Sequence, residues 1–157
     1  MDGGNVKLWR LPPSEEMEVI NQELRCLPFA AALMQLVYAF VAGELKNLGS
    51  PPFSIPQMRY VQAARARVQP VDNSLLLEEL IDDSFVKYTN NYDSIPLLYL
   101  GIEELHRANF LCFSQHVQLE KTEQNVFISD FQGLSPSIIF FKFITGADIT
   151  SQVVQPF

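Results

Sequence analysis

The hydrophobic positions in the first third of the chain recur with the spacing of an α-helix. They form two stretches: Met17, Ile20, Leu24 and Leu27, followed by Leu33, Leu36, Val37, Phe40, Val41, Leu45 and Leu48. This spacing places apolar side chains on one face, so each stretch is predicted to be an amphipathic helix. Pro28 separates the two stretches and has no N–H group to donate, so we expect a kink or a new helix start there.

The ends of this helical region carry the expected signals. Ser14 precedes Glu15 and Glu16, and a hydroxyl followed by carboxylates suits the positive end of a helix dipole. Gly49 and then Pro51 follow the last apolar position, which indicates where the helix ends.

The remaining pattern predicts four strands and one helix. The strands are expected at residues 58–69, in the apolar run that starts at Ser74, at residues 84–88 and at residues 126–131, and the helix at residues 103–117. Helices followed by strands with short connections predict an α+β fold, with a mostly antiparallel sheet and an amphipathic helix pair. No well-bounded element is predicted in residues 134–157, so we expect a domain at residues 1–133 followed by a divergent tail.

Composition and charge narrow the class of protein. The chain has 157 residues, of which 48% are hydrophobic and 18% charged, and this excludes an intrinsically disordered protein. The net charge of −7 is unfavourable for binding to a phosphate backbone, so nucleic acid is not expected as a partner. Cys26 and Cys112 are too few for a disulfide framework or a zinc site, and we expect free thiols.

One segment requires comparison with a membrane span. Residues 26–43 contain no charged side chain, but the segment includes Pro28 and Gln35 and is shorter than the roughly 20 apolar residues that cross a bilayer. A buried amphipathic helix explains it better. We therefore expect a cytoplasmic protein with no membrane partner.

Two groups of polar residues are candidates for chemistry, and no phosphate-binding loop or hydrolase motif accompanies them. Glu78 and Glu79 end an apolar run, where they form either a solvated strand end or a ligand-facing edge, because an unpaired buried charge is costly. Asp130 and Gln132 alternate with Ile128 on one face of a predicted strand, where their oxygens are positioned to share a metal or a phosphate. The residues alone indicate an acidic α+β domain with a polar strand face.

Three blocks of sequence resemble the alpha-kinases, a family of atypical protein kinases. The segment from Leu75 to Asn91 resembles the family's E-P-x-x-x-G-x-F-x-K-Y-x-N-N pattern. Residues 113–116 (F-S-Q-H) and 126–133 (V-F-I-S-D-F-Q-G) are similar to its F-S-H-F and L-V-x-D-L-Q-G blocks, and His116 and Asp130 are separated by the same fourteen residues. The resemblance covers roughly residues 15–133.

The resemblance implies an ATP-dependent protein serine/threonine kinase with a protein substrate and with ATP and Mg²⁺ as cofactors. It implies that Asp130 is the catalytic carboxylate and that Gln132 helps to hold the magnesium ion. Glu78 would recognise the adenine amino group, and the backbone near Ile81 would complete that contact. Lys87 matches the same nucleotide-binding segment.

Three further residues match the alpha-kinase pattern, and the sequence departs from that pattern at two places. Asn90 and Asn91 match family positions without an assigned role, and His116 is expected to have a packing role. Gly133 is followed by L-S-P-S instead of the family's L-T-D-P-Q, whose aspartate is the main metal ligand. The strand with the phosphate-binding lysine has no clear counterpart, and Lys7 is the candidate substitute. The alternative function is therefore an inactive kinase-derived module that binds nucleotide or protein.

Overall fold

The structure is a computed structural model that describes residues 11–51, 53–70, 73–80, 85–90, 94–134 and 137–145. The elements, in chain order, are α1 (Pro13–Leu48), β1 (Arg59–Tyr60), β2 (Ala63–Val68), β3 (Asn73–Glu78), β4 (Val86–Lys87), α2 (Ile102–Lys121), β5 (Val126–Leu134) and β6 (Ser137–Thr145). Lys7, Ile81 and Asn91, which the sequence singled out, lie outside the described residues.

The described strands form two separate sheets. One sheet has four strands in the order β1-β6-β5-β4, and the other is the hairpin of β2 and β3. Pairing is antiparallel except between β1 and β6, which run parallel. The predicted α+β class with a mostly antiparallel sheet is therefore confirmed.

The two helices predicted on either side of Pro28 are a single 36-residue helix, α1, and the prediction of a separate start is wrong. Beyond Pro28, the side chains of Ala30, Met34 and Val37 are buried in the main core. Helices in proteins are held mainly by tertiary packing of an apolar face, and this packing offsets the hydrogen bond that Pro28 cannot make.

Among the described residues, α1 is the one helix long and apolar enough to cross a membrane by length and composition, a test that core helices also pass. Only 17% of the most apolar 18-residue stretch of α1 is buried, so the prediction of a buried helix holds for one face of α1 only. The opposite face is exposed, and Phe29 on it is 67% accessible to solvent.

The core lies where α1 and α2 pack over the four-stranded sheet. Its buried members are Ala30, Met34 and Val37 of α1, Ala108, Phe110, Leu111 and Val117 of α2, and Tyr88, Ile128 and Phe131 of the sheet region. Phe110 of α2 stacks on Tyr38 of α1 with ring centroids 5.9 Å apart. Both cysteines are free thiols, as predicted.

The chain beyond Leu134 contains a strand that the sequence did not predict. β6 pairs with β5 from Thr145 opposite Val126 to Ser137 opposite Leu134. A bare apolar run without polar alternation is hard to assign to helix or strand from sequence alone, and pairing with a neighbour decides it here. The proposed domain boundary at residue 133 stays a prediction.

Candidate functional site

A bulge in β5 sets the position of Asp130. β5 and β6 are paired as far as Ser129 opposite Lys142 and resume with Gln132 opposite Phe140, so Asp130 and Phe131 lie in an irregularity of the ladder. Asp130 has a φ of 56°, in the left-handed region that aspartate tolerates better than most residues. Bulges of this kind redirect a side chain out of the regular alternation of a strand.

The bulge overturns the predicted face of the strand. Strict alternation would place Ile128, Asp130 and Gln132 on one side. Ile128 and Phe131, three residues apart, are instead both fully buried. Asp130 and Gln132 flank Phe131 and are both half-buried, so they lie away from the core that holds Ile128.

Lys87 of β4 lies beside Asp130. The Lys87 Nζ atom is 2.8 Å from Asp130 Oδ1, and the two side chains are 41% and 22% exposed. Lys87 is also directly opposite Gln132 in the antiparallel pairing of β4 with β5. The structure therefore brings three of the predicted site residues, Lys87, Asp130 and Gln132, to one place on the sheet.

The segment that follows Lys87 holds the backbone of the bulge. The Phe131 N–H donates to Thr89 Oγ1 at 3.1 Å, and the Tyr88 N–H donates to the Phe131 carbonyl oxygen at 2.9 Å. Both Tyr88 and Thr89 are fully buried. Burial raises the pKa of the Tyr88 hydroxyl above its usual value.

Side chains of α2 hold the edge of β5 that precedes the bulge. Gln115 Nε2 donates to the Ile128 carbonyl oxygen at 2.9 Å, and the Ile128 N–H donates to Gln118 Oε1 at the same distance. Nearer the start of the strand, the Val126 N–H donates to Thr122 Oγ1 at 3.2 Å. Buried backbone N–H and C=O groups need hydrogen-bond partners, and these side chains supply the partners that a neighbouring strand would otherwise provide.

The sequence did not identify these supporting residues. Gln115 and Gln118 are three positions apart and both are buried, at 2% and 0% exposure. Two glutamines at helical spacing beside Leu111 and Cys112 were the available signal. His116, for which we expected a packing role, is exposed on α2, and that expectation stays a prediction.

Glu78 lies on a different sheet from the three residues at the bulge. It is the last residue of β3, in the two-stranded sheet, and it is exposed. Partial burial, and to a lesser extent the nearby negative charge of Glu23, raise the pKa of the Glu78 carboxyl above its usual value.

Glu79 is a paired carboxylate at the end of the same strand. Arg59 donates two hydrogen bonds to it, from Nη1 to Oε2 at 2.7 Å and from Nη2 to Oε1 at 2.6 Å, and the Gln62 N–H donates a third at 3.3 Å. The bond from Arg59, followed by that from Gln62, lowers the pKa of Glu79 to about 2. For Glu78 and Glu79, the sequence predicts either a solvated strand end or a ligand-facing edge. Glu79 fits the solvated strand end, with Arg59 as its partner.

The described residues contain no group of three or more histidine, cysteine, aspartate or glutamate side chains that could hold a metal ion. The oxygen donors at the bulge are the Asp130 carboxylate and the Gln132 amide. Mg²⁺ accepts oxygen ligands and commonly takes one or two from the protein, the rest from phosphate and water. The chemistry of these two donors therefore fits a magnesium ion that is also held by a nucleotide.

A large apolar cavity lies away from these residues. It has a volume of about 820 Å³ and is lined by the C-terminal half of α1, by the first half of α2, and by Ser50, Pro51, Phe53 and Ile55 between them. His106 borders it, with its Nε2 atom buried and its ring edge-on to Phe53. None of the predicted site residues that the structure describes is among those that line it.

Comparison with known families assigns the chain to one of them. The model of the alpha-kinase family matches residues 11–152, which is most of the sequence. The chain belongs to the alpha-kinase family, and the resemblance seen in its motifs is confirmed. No curated protein matches the chain at a significant level.

Solved structures show the same fold. A catalytic-domain mutant of myosin heavy chain kinase A matches with a TM-score of 0.52 and 14% identity, covering 90% of this chain and 47% of that one. A C-terminally truncated alpha-kinase domain of myosin heavy chain kinase matches with a TM-score of 0.50 and 14% identity, covering 88% and 48%. The chain therefore spans about half the length of the kinase domains that it matches, and its fold is that of a partial alpha-kinase domain.

Proposed function

We propose that this chain carries the catalytic carboxylate of an alpha-type protein kinase, which transfers the γ-phosphate of ATP to a serine or threonine hydroxyl of a protein. Family membership supports the kinase class. The observation that carries the proposal is the arrangement at the bulge, where Asp130 faces Lys87 at 2.8 Å and Gln132 is paired with Lys87 across the strands.

Asp130 is the residue to which we assign the proton of the attacking hydroxyl. Phosphoryl transfer needs little covalent chemistry from the protein and depends on positioning and neutralisation of charge. Lys87 Nζ lies 2.8 Å from Oδ1 of the carboxylate, an ion pair without hydrogen-bond geometry that places a positive charge beside the carboxyl group. Asp130 is 22% exposed, which leaves it accessible to a substrate hydroxyl.

We assign a magnesium ligand to Gln132, and the adenine to Glu78 and the backbone near Ile81. When bound, the ion would neutralise charge on the phosphates. The chain passes from the two-stranded sheet to the four-stranded sheet between Glu78 and Lys87, so a nucleotide held by both ends would bridge the two sheets. A protein substrate and a cytoplasmic location belong to the same proposal.

Titration calorimetry and a phosphorylation assay on the purified chain test this proposal. We expect saturable binding of ATP with Mg²⁺, weakened by Glu78→Ala, and transfer of labelled γ-phosphate to a basic protein substrate. Asp130→Asn should abolish transfer, whereas Glu44→Gln, which alters an exposed carboxylate of α1, should leave it unchanged.

Two outcomes would contradict the proposal. Binding of ATP without any transfer would favour an inactive nucleotide-binding module. The absence of both binding and transfer from a folded, monodisperse sample would remove nucleotide chemistry from this chain altogether.

A further inference from the structure

We propose that Thr89 is a positioning residue for Asp130, acting through the backbone of the bulge in β5. The inference rests on the proposed function, in which Asp130 is the catalytic carboxylate. Thr89 itself is fully buried, so its hydroxyl is directed toward the protein and has no access to substrate.

The hydroxyl of Thr89 binds the peptide group that follows Asp130. The N–H of Phe131 belongs to the peptide bond between Asp130 and Phe131, and it donates to Thr89 Oγ1 at 3.1 Å. Fixing the plane of this peptide limits the ψ angle of Asp130. The carbonyl of Phe131 is held from the same segment, by the N–H of Tyr88 at 2.9 Å and that of Thr89 at 3.4 Å.

A left-handed aspartate needs such a restraint. Asp130 has a φ of 56°, a conformation that costs energy for a residue with a Cβ atom and that persists when the surroundings determine it. The ladder between β5 and β6 is irregular from Ser129 to Gln132, so that edge does not impose the conformation. The bonds from Tyr88 and Thr89 lie within this irregular interval and do impose it.

The segment from Lys87 to Thr89 thus holds Asp130 at two points, its carboxylate and the peptide group that follows it. Lys87 contacts its carboxylate at 2.8 Å, and two residues later Thr89 binds its C-terminal peptide. Because both contacts come from the same short segment, a change at Thr89 shifts the carboxylate relative to Lys87. The sequence motif that contains Lys87 therefore has a backbone-positioning member at Thr89.

The variants that test this are Thr89→Val, which keeps the shape and removes the acceptor, and Thr89→Ser, which restores it. Ser129→Ala is the matched control, because Ser129 is also buried in β5, next to the bulge, and its Oγ atom has no hydrogen-bond partner in the described part of the chain. Thr89→Ala serves as a second test variant if Thr89→Val fails to fold.

We expect Thr89→Val to lower kcat roughly 10- to 100-fold, as for a catalytic group displaced by a fraction of an ångström to 1 Å, with KM for ATP changed by less than about twofold. Thr89→Ser should restore most of the rate, and Ser129→Ala should match the wild type. Equal losses in Thr89→Val and Thr89→Ser, or in Thr89→Val and Ser129→Ala, would overturn the assignment.

Two measurements by NMR are independent of activity. In Thr89→Val, the Phe131 amide should exchange with solvent roughly tenfold faster or more, as expected for loss of a buried hydrogen bond. The carboxyl carbon signal of Asp130 should also shift, and neither change should occur in Ser129→Ala. Unchanged amide exchange together with an unchanged carboxyl signal would overturn the inference about Thr89. A wild type without kinase activity would overturn the proposed function instead, and the two NMR measurements would then decide the role of Thr89.

Discussion

The two edges of β5 are held in different ways. Toward β6, the strand is bound by backbone pairing from Val126 to Leu134, interrupted at the bulge. On the other edge, the first half of the strand is bound by the side chains of Thr122, Gln118 and Gln115. The second half of that edge pairs with β4 through Gln132 and Gly133, and the hydroxyl of Thr89, just after β4, accepts the Phe131 N–H.

The difference explains why the bulge is accommodated. A continuous ladder fixes the register of every residue, so an inserted residue disrupts its neighbours. Side-chain bonds are independent of one another, and they can meet the strand wherever its backbone groups lie. The bulge at Asp130 interrupts the ladder with β6, and the bonds from Tyr88 and Thr89 on the opposite edge hold the backbone where that ladder is irregular.

The largest effect on stability is expected when the glutamines of α2 are replaced. Gln115→Met with Gln118→Met keeps side-chain volume but leaves the N–H and C=O of Ile128 unpaired, which should cost about 1–3 kcal/mol for each group. The double substitution also removes Gln115 Oε1 and Gln118 Nε2, which have no hydrogen-bond partner among the described residues. Their removal places the expected loss in free energy of unfolding toward the lower end of this range. Urea unfolding measures it, with Gln35→Met on the exposed side of α1 as control. Equal stability of the double variant and the control would show that this edge does not need its side-chain partners.

A smaller effect is expected at Thr122. Thr122→Val removes the acceptor for the Val126 N–H, a partly buried bond of 3.2 Å, and should lower the free energy of unfolding by about 0.5–1.5 kcal/mol. Thr122→Ser keeps the hydroxyl and should unfold close to the wild type. A loss of the same size in both variants would assign the effect to the methyl group instead of the hydrogen bond.

Lys87 should matter less for stability than for activity. The pair with Asp130 is partly exposed, so Lys87→Met should change the free energy of unfolding by less than about 1 kcal/mol. Phosphoryl transfer should fall roughly 10- to 1,000-fold, as when a charge-stabilising group is removed. Thermal unfolding and the transfer assay separate the two effects, and Lys46→Met on α1 is the control. A large loss of stability without a loss of transfer would make Lys87 structural.

The smallest expected effect concerns the pH dependence of stability at Glu79. Its pKa falls from 4.5 to about 2 in the folded chain because of Arg59 and the Gln62 N–H. A depressed pKa stabilises the folded state above the unfolded value, and this contribution is lost as the pH falls from about 4.5 toward 2. Glu79→Gln should therefore flatten the decline in melting temperature over that interval. An unchanged slope would show that the pair, with Arg59 50% and Glu79 32% exposed, contributes nothing measurable.

The types of most elements were predictable from local pattern. Helical spacing indicated α2 within a few residues of its bounds, and β3 and β5 were placed correctly. The motifs around Lys87, Asp130 and Gln132 indicated the family, and the structure places these residues together. The two-helix interpretation of α1 was wrong because a local rule about Pro28 was outweighed by packing of Met34 and Val37 against the core.

The details of the site were beyond the sequence. The contact of Thr89 with Phe131 joins residues 42 positions apart, and that of Gln115 with Ile128 joins residues 13 apart. No periodicity in either segment specifies which backbone group will lack a partner. The left-handed conformation of Asp130 likewise follows from how β5 meets three neighbours, and alternation along the strand predicted the wrong face.

The sequence by itself determined the α+β class, the family and the identity of the residues that meet at the bulge, because spacing and motif order are properties of the chain. Tertiary structure decided which backbone groups of β5 are bound by neighbouring strands and which by side chains, and where the bulge places Asp130. The physical reason is that each buried backbone group must find a partner, and the available partners are known only once the helices and strands have packed.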